Sequence, residues 1–542
     1  MLGTMMQRPL SIPALLEHAA RCHGDTEIVT RTTEGPIHRY GYAEALQRSK
    51  QLANALIRLG AHPNDRIATL AWNTHRHFEL YYAISGIGAI VHTLNPRLFV
   101  DQLAYIINHA ADRYLFVDLT FLPIVEQLAE RIPTVLELIV LTDRAHMPTH
   151  SHLPRLHCYE ELLAAENSQF NWPTMDENRA AALCYTSGTT GHPKGVLYSH
   201  RSTLLHALTV CQRQVLDLSA DTAVLPAVPM FHVCAWGMPY AAPLGGAKLI
   251  LPGPALDGAS LARLIHDEGA NLLLGVPTLW LDLLNHLRAQ EQRLDGVERV
   301  VIGGAAAPYS MIKEFDERHG VFVVIHAWGM TETSPIGTLN SPTPQMRRLP
   351  AEARYRQQMK QGRPPFGVEI RIVNDAGEAL PEDGKTFGRL LVRGPWVANG
   401  YFRSEERNAF VNGWFDTGDI ATIDPSGTMQ IVDRAKDVIK SGGEWISSIE
   451  LENLAIGHPA VKEACVVGVP HPKWDERPLL LLVLQPQAQL TEAEMLGHLQ
   501  DKVAKWWLPD RVIIVDTLPH GSTGKLQKNV LREQYQQLLL KG

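Results

Sequence analysis

Short apolar runs alternate with stretches of helical periodicity from Thr26 to about Asp143. Leu52, Leu56 and Leu59 recur at i, i+4 and i+7 ahead of Gly60, the spacing of a buried helix face closed by a glycine stop. Residues 66–71 and 114–118 read as buried strands, and the alternation resumes with apolar runs at 249–251, 272–276, 300–302 and 321–325. Strand–helix alternation of this kind predicts an α/β fold with mostly parallel sheets covered by helices. Around 367–373 and 389–393 the runs become short and are bounded by Gly and Pro, which predicts a small antiparallel, β-barrel-like subdomain. Beyond residues 429–432 a charged segment interrupts the pattern, and a smaller set follows: strands at 461–469, 479–484 and 512–515, and a helix over 491–505 with Thr491 as N-cap and Glu494 completing a capping box. The expected division is a large N-terminal domain over 1–432, a linker at 433–436 and a small α+β domain over 437–542.

Composition narrows the class. With 45% hydrophobic and 20% charged residues in 542, the chain has the make-up of a soluble globular protein of more than one domain. A formal net charge of −7 without a block of one sign gives no nucleic-acid surface and no polybasic membrane anchor. Six cysteines, at 22, 158, 184, 211, 234 and 465, have no metal-type spacing and read as reduced cytoplasmic thiols. The N-terminal stretch is broken by Pro9, Pro13, Glu17 and His18 and is too polar for a signal peptide. The most hydrophobic window, 223–247, is interrupted by Pro226, Pro229, Pro239 and Pro243, so no membrane-spanning segment is expected.

Chemistry first shows between Tyr185 and Val196, YTSGTTGHPKGV, where three glycines, five hydroxyl side chains and one lysine follow an apolar run at 180–185. A loop leaving a strand end offers backbone N–H groups to anionic oxygens, and Gly188 and Gly191 allow close backbone approach. Gly195 and Val196 follow Lys194 where the P-loop pattern needs Ser or Thr, so a Walker-type NTPase is disfavoured. Taken alone, the segment is equally a surface turn rich in Gly, Ser and Thr.

Four further motifs resolve that choice. Gly303-Gly304-Ala305-Ala306 follows the run at 300–302, Trp328-Gly329-Met330-Thr331-Glu332 follows that at 321–325, Trp414-Phe415-Asp416-Thr417-Gly418-Asp419 precedes the linker, and Gly521-Ser522-Thr523-Gly524-Lys525 lies near the end. With these in register, nearly the whole chain resembles the adenylate-forming superfamily. PMFHVCAW, WGMTETSP and DRAKDVIKSGGEWISSIELE are most similar to fatty acyl-CoA synthetases of the medium-chain and methylthiopropionate-CoA ligase type.

The resemblance implies an acid–thiol ligase that activates a carboxylic acid with ATP and Mg²⁺ as an acyl-adenylate, then passes the acyl group to CoA with release of AMP and pyrophosphate. Such a site must hold two anions together and offset charge on the phosphates. By the same resemblance Thr186, Ser187, Gly188, Thr189, Thr190 and Lys194 hold the β- and γ-phosphates, Glu332 is the Mg²⁺ ligand and Thr331 meets the α-phosphate. Gly304 and Ala305 lie along the adenine, with Trp328 where many relatives carry tyrosine; Asp419 takes the ribose hydroxyls and Arg434 the ribose and phosphate. Lys525 reaches between carboxylate and α-phosphate, then leaves as the mobile C-terminal domain rotates about Lys436, bringing Gly443, Glu444 and Trp445 to the pantetheine passage.

His232, Trp236, Gly303 and Trp396 are the implied acid-binding residues. On burial statistics alone His232 is more often a core histidine, and Trp328 and Trp396 are as readily core aromatics. Medium-chain fatty acids lead, with a short thioether acid such as 3-methylthiopropionate or a non-CoA acceptor as alternatives. No carrier domain is expected after Lys525, and a homodimer is implied only by the long-chain relatives.

Overall fold

In a computed structural model of the protein, the description covers all residues except 2, 150, 154, 187–191, 406–407, 443, 501, 522–525 and 541–542, and omits the side chain of Glu444. Two large sheets carry most of the chain. One has seven strands in the order Leu156–Cys158, Glu137–Val140, Tyr114–Val117, Arg66–Leu70, Ile90–Thr93, Ala180–Tyr185 and Gly195–Ser199. All neighbours are parallel except the last pair, a hairpin whose connection is the glycine-rich loop. The other has eight strands: Ile336–Leu339, Val323–Gly329, Arg299–Ile302, Leu272–Gly275, Ala223–Pro226, Lys248–Leu251, Glu27–Arg31 and Ile37–Gly41, antiparallel only at its two edges.

The subdomain expected near 367–393 is a five-stranded antiparallel sheet that includes Glu369–Val373, Gly388–Arg393, Trp414–Ile423 and Met429–Arg434. A separate five-stranded sheet follows from Ile439–Ser441 to Arg511–Ile514, with its own apolar cluster around Ile439, Val466, Leu480 and Met495. Among the described residues no helix is long and apolar enough to cross a membrane; the 223–247 window forms a strand and short helices within the core.

Local patterns translate directly into elements. Tyr42–Arg58 is the helix that buries Leu52 and Leu56, and Gly60 follows it at φ 85°, a conformation that suits glycine. Thr491 and Glu494 form the reciprocal cap, the Thr491 N–H donating to Glu494 Oε2 at 2.8 Å and the Glu494 N–H to Thr491 Oγ1 at 3.3 Å. Several boundaries differ from expectation, among them the strand expected at 479–484, which starts at Asp475. The helix after Thr491 ends at Gln500, with a separate turn at Lys505–Trp507. The strand expected at 321–325 runs Val323–Gly329 because its far half pairs antiparallel with Ile336–Leu339, a partner that no local pattern reveals. Trp328 and Gly329 therefore stand in the strand rather than after it.

The helix His75–Gly86 has every residue buried, and it touches strands of both large sheets. Its charges are compensated where they sit. Arg48 Nε donates to Glu79 Oε1 at 2.7 Å, the Tyr159 hydroxyl donates to Glu79 Oε2 at 2.5 Å, and Arg76 Nε reaches Glu160 Oε1 at 2.8 Å. Removing the cation from such a pair leaves the fully buried Glu79 carboxylate without an opposite charge, so Arg48→Ala is expected to cost about 3–5 kcal/mol of unfolding free energy. The exposed Arg144–Glu161 pair serves as control, with a change under about 1 kcal/mol for Arg144→Ala in the same denaturant titration.

Candidate functional site

The glycine-rich loop leaves the sheet through a closed neck. Its two ends are the paired residues Tyr185 and Gly195; the Thr186 N–H donates to the Lys194 carbonyl at 2.9 Å, and the Lys194 N–H to Thr186 Oγ1 at 3.2 Å. His192 stacks on Tyr105 of the helix Val100–Ala110 with ring centroids 4.4 Å apart. Ser187, Gly188, Thr189 and Thr190 lie outside the described residues.

Beside this neck the Thr331–Thr333 turn after the strand Val323–Gly329 carries Glu332 into the interior, where the residue is 5% exposed. The Tyr401 hydroxyl donates to Glu332 Oε1 at 2.8 Å, and the Lys194 ammonium lies 5.1 Å from the centroid of the same tyrosine ring. Tyr401 thus joins the expected phosphate-loop cation to the expected metal-binding carboxylate. The Tyr198 hydroxyl donates to the Thr331 carbonyl at 2.7 Å, and the Ala398 N–H to the Glu332 carbonyl at 2.8 Å, which fixes the turn from both sides. Burial pushes the Glu332 carboxyl up from its ordinary range, and the Tyr401 hydroxyl with the charges of Arg434 and Lys194 pulls it back in part. Neither Tyr401 nor Tyr198 was singled out in the sequence; each is one tyrosine in a segment without periodicity, and only the tertiary fold brings it here.

A second cluster sits at the end of the antiparallel sheet. Asp419 and Arg434 are cross-strand partners, with Arg434 Nε 3.0 Å from Asp419 Oδ1. The Trp328 indole N–H donates to Asp419 Oδ2 at 2.9 Å. Both carboxylate oxygens of Asp419, which is 3% exposed, are therefore oriented by donors, and Trp328 takes part through its N–H where a tyrosine would use a hydroxyl. Gly304 and Ala305 are exposed at the end of the strand Arg299–Ile302, and Gly304 has φ 79°.

Two of the expected acid-binding residues, His232 and Trp236, lie on one turn. Val233, Cys234, Ala235 and Trp236 all have φ between 47° and 55°, a left-handed turn without glycine that ends at Gly237, φ 79°. At about 1–2 kcal/mol per residue, such a turn persists only where its surroundings hold it. The Tyr81 hydroxyl donates to the Met230 carbonyl and that of Tyr82 to the Pro239 carbonyl, each at 2.6 Å, while the Asn73 amide donates to the carbonyls of Pro226 and Val228. A Cβ on Gly237 would lie 2.8 Å from the His206 ring, and one on Gly303 would lie 2.8 Å from the Trp236 ring, so Trp236 and Gly303 are in contact. His232, half-buried, opens the turn. Trp396 is 3% exposed, donates its indole N–H to the Ile336 carbonyl at 2.9 Å, and meets His206 edge-on with centroids 6.0 Å apart.

Lys436 is exposed in the turn that follows Met429–Arg434. On one side of it Asp433 Oδ2 accepts from the Ser448 N–H at 2.7 Å; on the other Asp437 accepts from Arg532 at 2.7 Å. Gly443 and Lys525 lie outside the described residues, as does the side chain of Glu444; Trp445 is half-buried in the strand Glu444–Ile446.

Residues 16–402 match the AMP-binding enzyme family and residues 450–525 match the AMP-binding enzyme C-terminal domain. The chain belongs to the AMP-binding enzymes. It is 52% identical over 539 residues to a 3-methylmercaptopropionyl-CoA ligase of Ruegeria lacuscaerulensis, covering 99% of this chain and 100% of the relative. It is 51% identical over 541 residues to a medium-chain-fatty-acid–CoA ligase of Ectopseudomonas oleovorans, covering 100% and 99%. Among solved structures, ATP-bound MatB from Rhodopseudomonas palustris superposes with a TM-score of 0.82 at 27% identity, over 97% of this chain and 99% of that one.

The Glu332 environment gives a pH test. Tyr401→Phe withdraws a donor that favours the ionised carboxylate, so the Glu332 pKa moves further above its ordinary value. If Glu332 acts as a carboxylate, the acid limb of ATP–pyrophosphate exchange shifts to higher pH in this variant; an unchanged limb separates the tyrosine from the titration.

Proposed function

We propose that the protein is an AMP-forming acid–CoA ligase: ATP and a carboxylic acid give an acyl-adenylate and pyrophosphate, and the CoA thiol then displaces AMP. The reading is carried by one arrangement, a buried carboxylate at Glu332 joined through Tyr401 to the loop lysine Lys194 at the mouth of the glycine-rich hairpin. Family membership over most of the chain and the two CoA ligases at 52% and 51% identity support it.

In this reading Thr186–Thr190 and Lys194 receive the β- and γ-phosphates, Thr331 the α-phosphate, and Asp419 with Arg434 the ribose. Glu332 suits Mg²⁺ because a hard, anionic oxygen matches a hard cation, and Oε1, already engaged by Tyr401, leaves Oε2 directed by the same hydrogen bond. Bound there, the ion would offset phosphate charge during displacement. Trp328 holds Asp419 in place through its indole N–H, so the tyrosine hydroxyl found in many relatives is not required for that task. Lys525 completes the first half reaction, and the turn at Lys436 lets the C-terminal domain exchange it for the segment Gly443, Glu444 and Trp445 in the second. His232, Trp236, Gly303 and Trp396 line the acid side. The names of the two relatives support a medium-chain fatty acid and a short thioether acid to the same degree.

Pyrophosphate release with and without CoA tests the reaction. Formation of AMP and acyl-CoA only when CoA is present, with acyl-AMP accumulating in its absence, is the expected result; release without thioester formation assigns another acceptor. Lys525→Ala is expected to lose adenylation by about 10²-fold or more while forming thioester from supplied acyl-AMP at near the parent rate, because a charge aimed at the transferring phosphoryl group acts in the first step alone. Equal losses in both steps overturn the moving-lysine assignment.

A further inference from the structure

A small, partly open cavity of about 10 Å³ adjoins the left-handed turn, lined by Val233, Cys234 and Gly237 of that segment and by Tyr198, His206 and Tyr240. Thr203 and Ser334 complete its wall. It adjoins the expected reaction site on two sides: Tyr198 donates to the Thr331 carbonyl, and Cys234 is two residues from His232. Its volume admits about one water-sized group. Two of its lining side chains carry a buried polar atom with no hydrogen-bond partner among the described residues, Nε2 of His206 and the hydroxyl of Tyr240. Buried polar groups are nearly always paired, and leaving one unmade costs about 1–3 kcal/mol. Two at one cavity call for a ligand.

We infer that this cavity is a polar subsite of the acid pocket, which takes the heteroatom of a short carboxylic acid bearing a thioether, ether or hydroxyl group. The inference rests on the ligase reading above and selects among its acids. His206 is fully buried, and burial pushes its imidazole down to about 3, so at neutral pH the ring presents one donor and one acceptor and no charge. Burial likewise keeps the Tyr240 phenol protonated. No residue lining the cavity carries a charge, so a second carboxylate would be desolvated without compensation, whereas a neutral sulfur or oxygen accepts from the hydroxyl or the ring. A hydrocarbon carbon in the same place would leave both groups unmade. Space for one group, rather than a chain, points to an acid whose heteroatom lies near its end. Gly237 is part of this geometry, since a side chain there would press into the His206 ring.

The test is a heteroatom scan at fixed length: kcat/KM for pentanoate against 3-(methylthio)propionate and 3-methoxypropionate, and for hexanoate against the methoxy and ethoxy acids of the same atom count. At the favoured position the heteroatom acid is expected to exceed its hydrocarbon isostere by about tenfold or more. In Tyr240→Phe and His206→Leu that ratio should fall towards one, with KM for ATP near the parent value. Equal kcat/KM for every isosteric pair in the parent enzyme overturns the subsite, and so does a variant that lowers all acids by one common factor, the signature of a purely structural role. Tyr240→Phe removes a single oxygen and keeps the ring, so it carries the test if His206→Leu does not fold. Absence of AMP formation with every acid is a different outcome, which overturns the ligase reading itself; turnover without heteroatom preference leaves that reading standing.

Discussion

The ion pair between Arg48 and Glu79 is the constraint from which the large domain is organised. Glu79 sits on a helix with no exposed residue, and a carboxylate there is tolerable only with its charge met at hydrogen-bond distance, by Arg48 on both oxygens and by the Tyr159 hydroxyl on Oε2. The same helix touches strands of both sheets, so the charge it buries lies where the two sheets meet. Tyr81 and Tyr82, neighbours of Glu79 on the same helix, reach the carbonyls of Met230 and Pro239 and so grip both ends of the strained 233–236 turn. One buried helix thus contacts both sheets and braces the strained turn proposed for the acid.

A second electrostatic balance governs the nucleotide side. Glu332 is as buried as a core residue, yet three groups draw it back towards ionisation: a hydroxyl donor and two cations that come from separate parts of the chain, Lys194 on the hairpin and Arg434 on the antiparallel sheet. None of the three is local in sequence to Glu332. Arg434 also meets Asp419, which Trp328 holds from the other side, so the carboxylates proposed for metal and ribose share a cation. Binding a magnesium-bound triphosphate would replace part of this internal compensation, and a carboxylate kept in reserve by burial gains most from such a ligand.

Much of the fold was legible because the large sheets are built from local signals. Buried parallel strands read as apolar runs, and the strand Ala180–Tyr185, the helix ending at Gly60 and the Thr491–Glu494 cap all stand where residue patterns put them. Where a strand is lengthened by a distant partner, as Val323–Gly329 is by Ile336–Leu339, local periodicity stops short. The motif residues were legible through chemistry and resemblance; their supports were not. Tyr401, Tyr198, Tyr240 and His206 occupy positions that no spacing rule separates from ordinary core aromatics, and each acts through a contact made more than thirty residues away or through a cavity that exists only in the folded chain.

Strain and polarity at the proposed acid pocket are two consequences of the same packing. A left-handed turn of four non-glycine residues points Trp236 onto Gly303 and turns Cys234 and Gly237 towards His206 and Tyr240. A relaxed helical turn would send these side chains elsewhere, and the cavity would not form. Selectivity between a methylene and a heteroatom then need not come from pocket length, where one methylene is worth only about 1–3 kcal/mol. In the proposed subsite it comes from the greater penalty of leaving a buried donor unmade, which a hydrocarbon chain incurs and the accepting sulfur or oxygen of a thioether or ether does not.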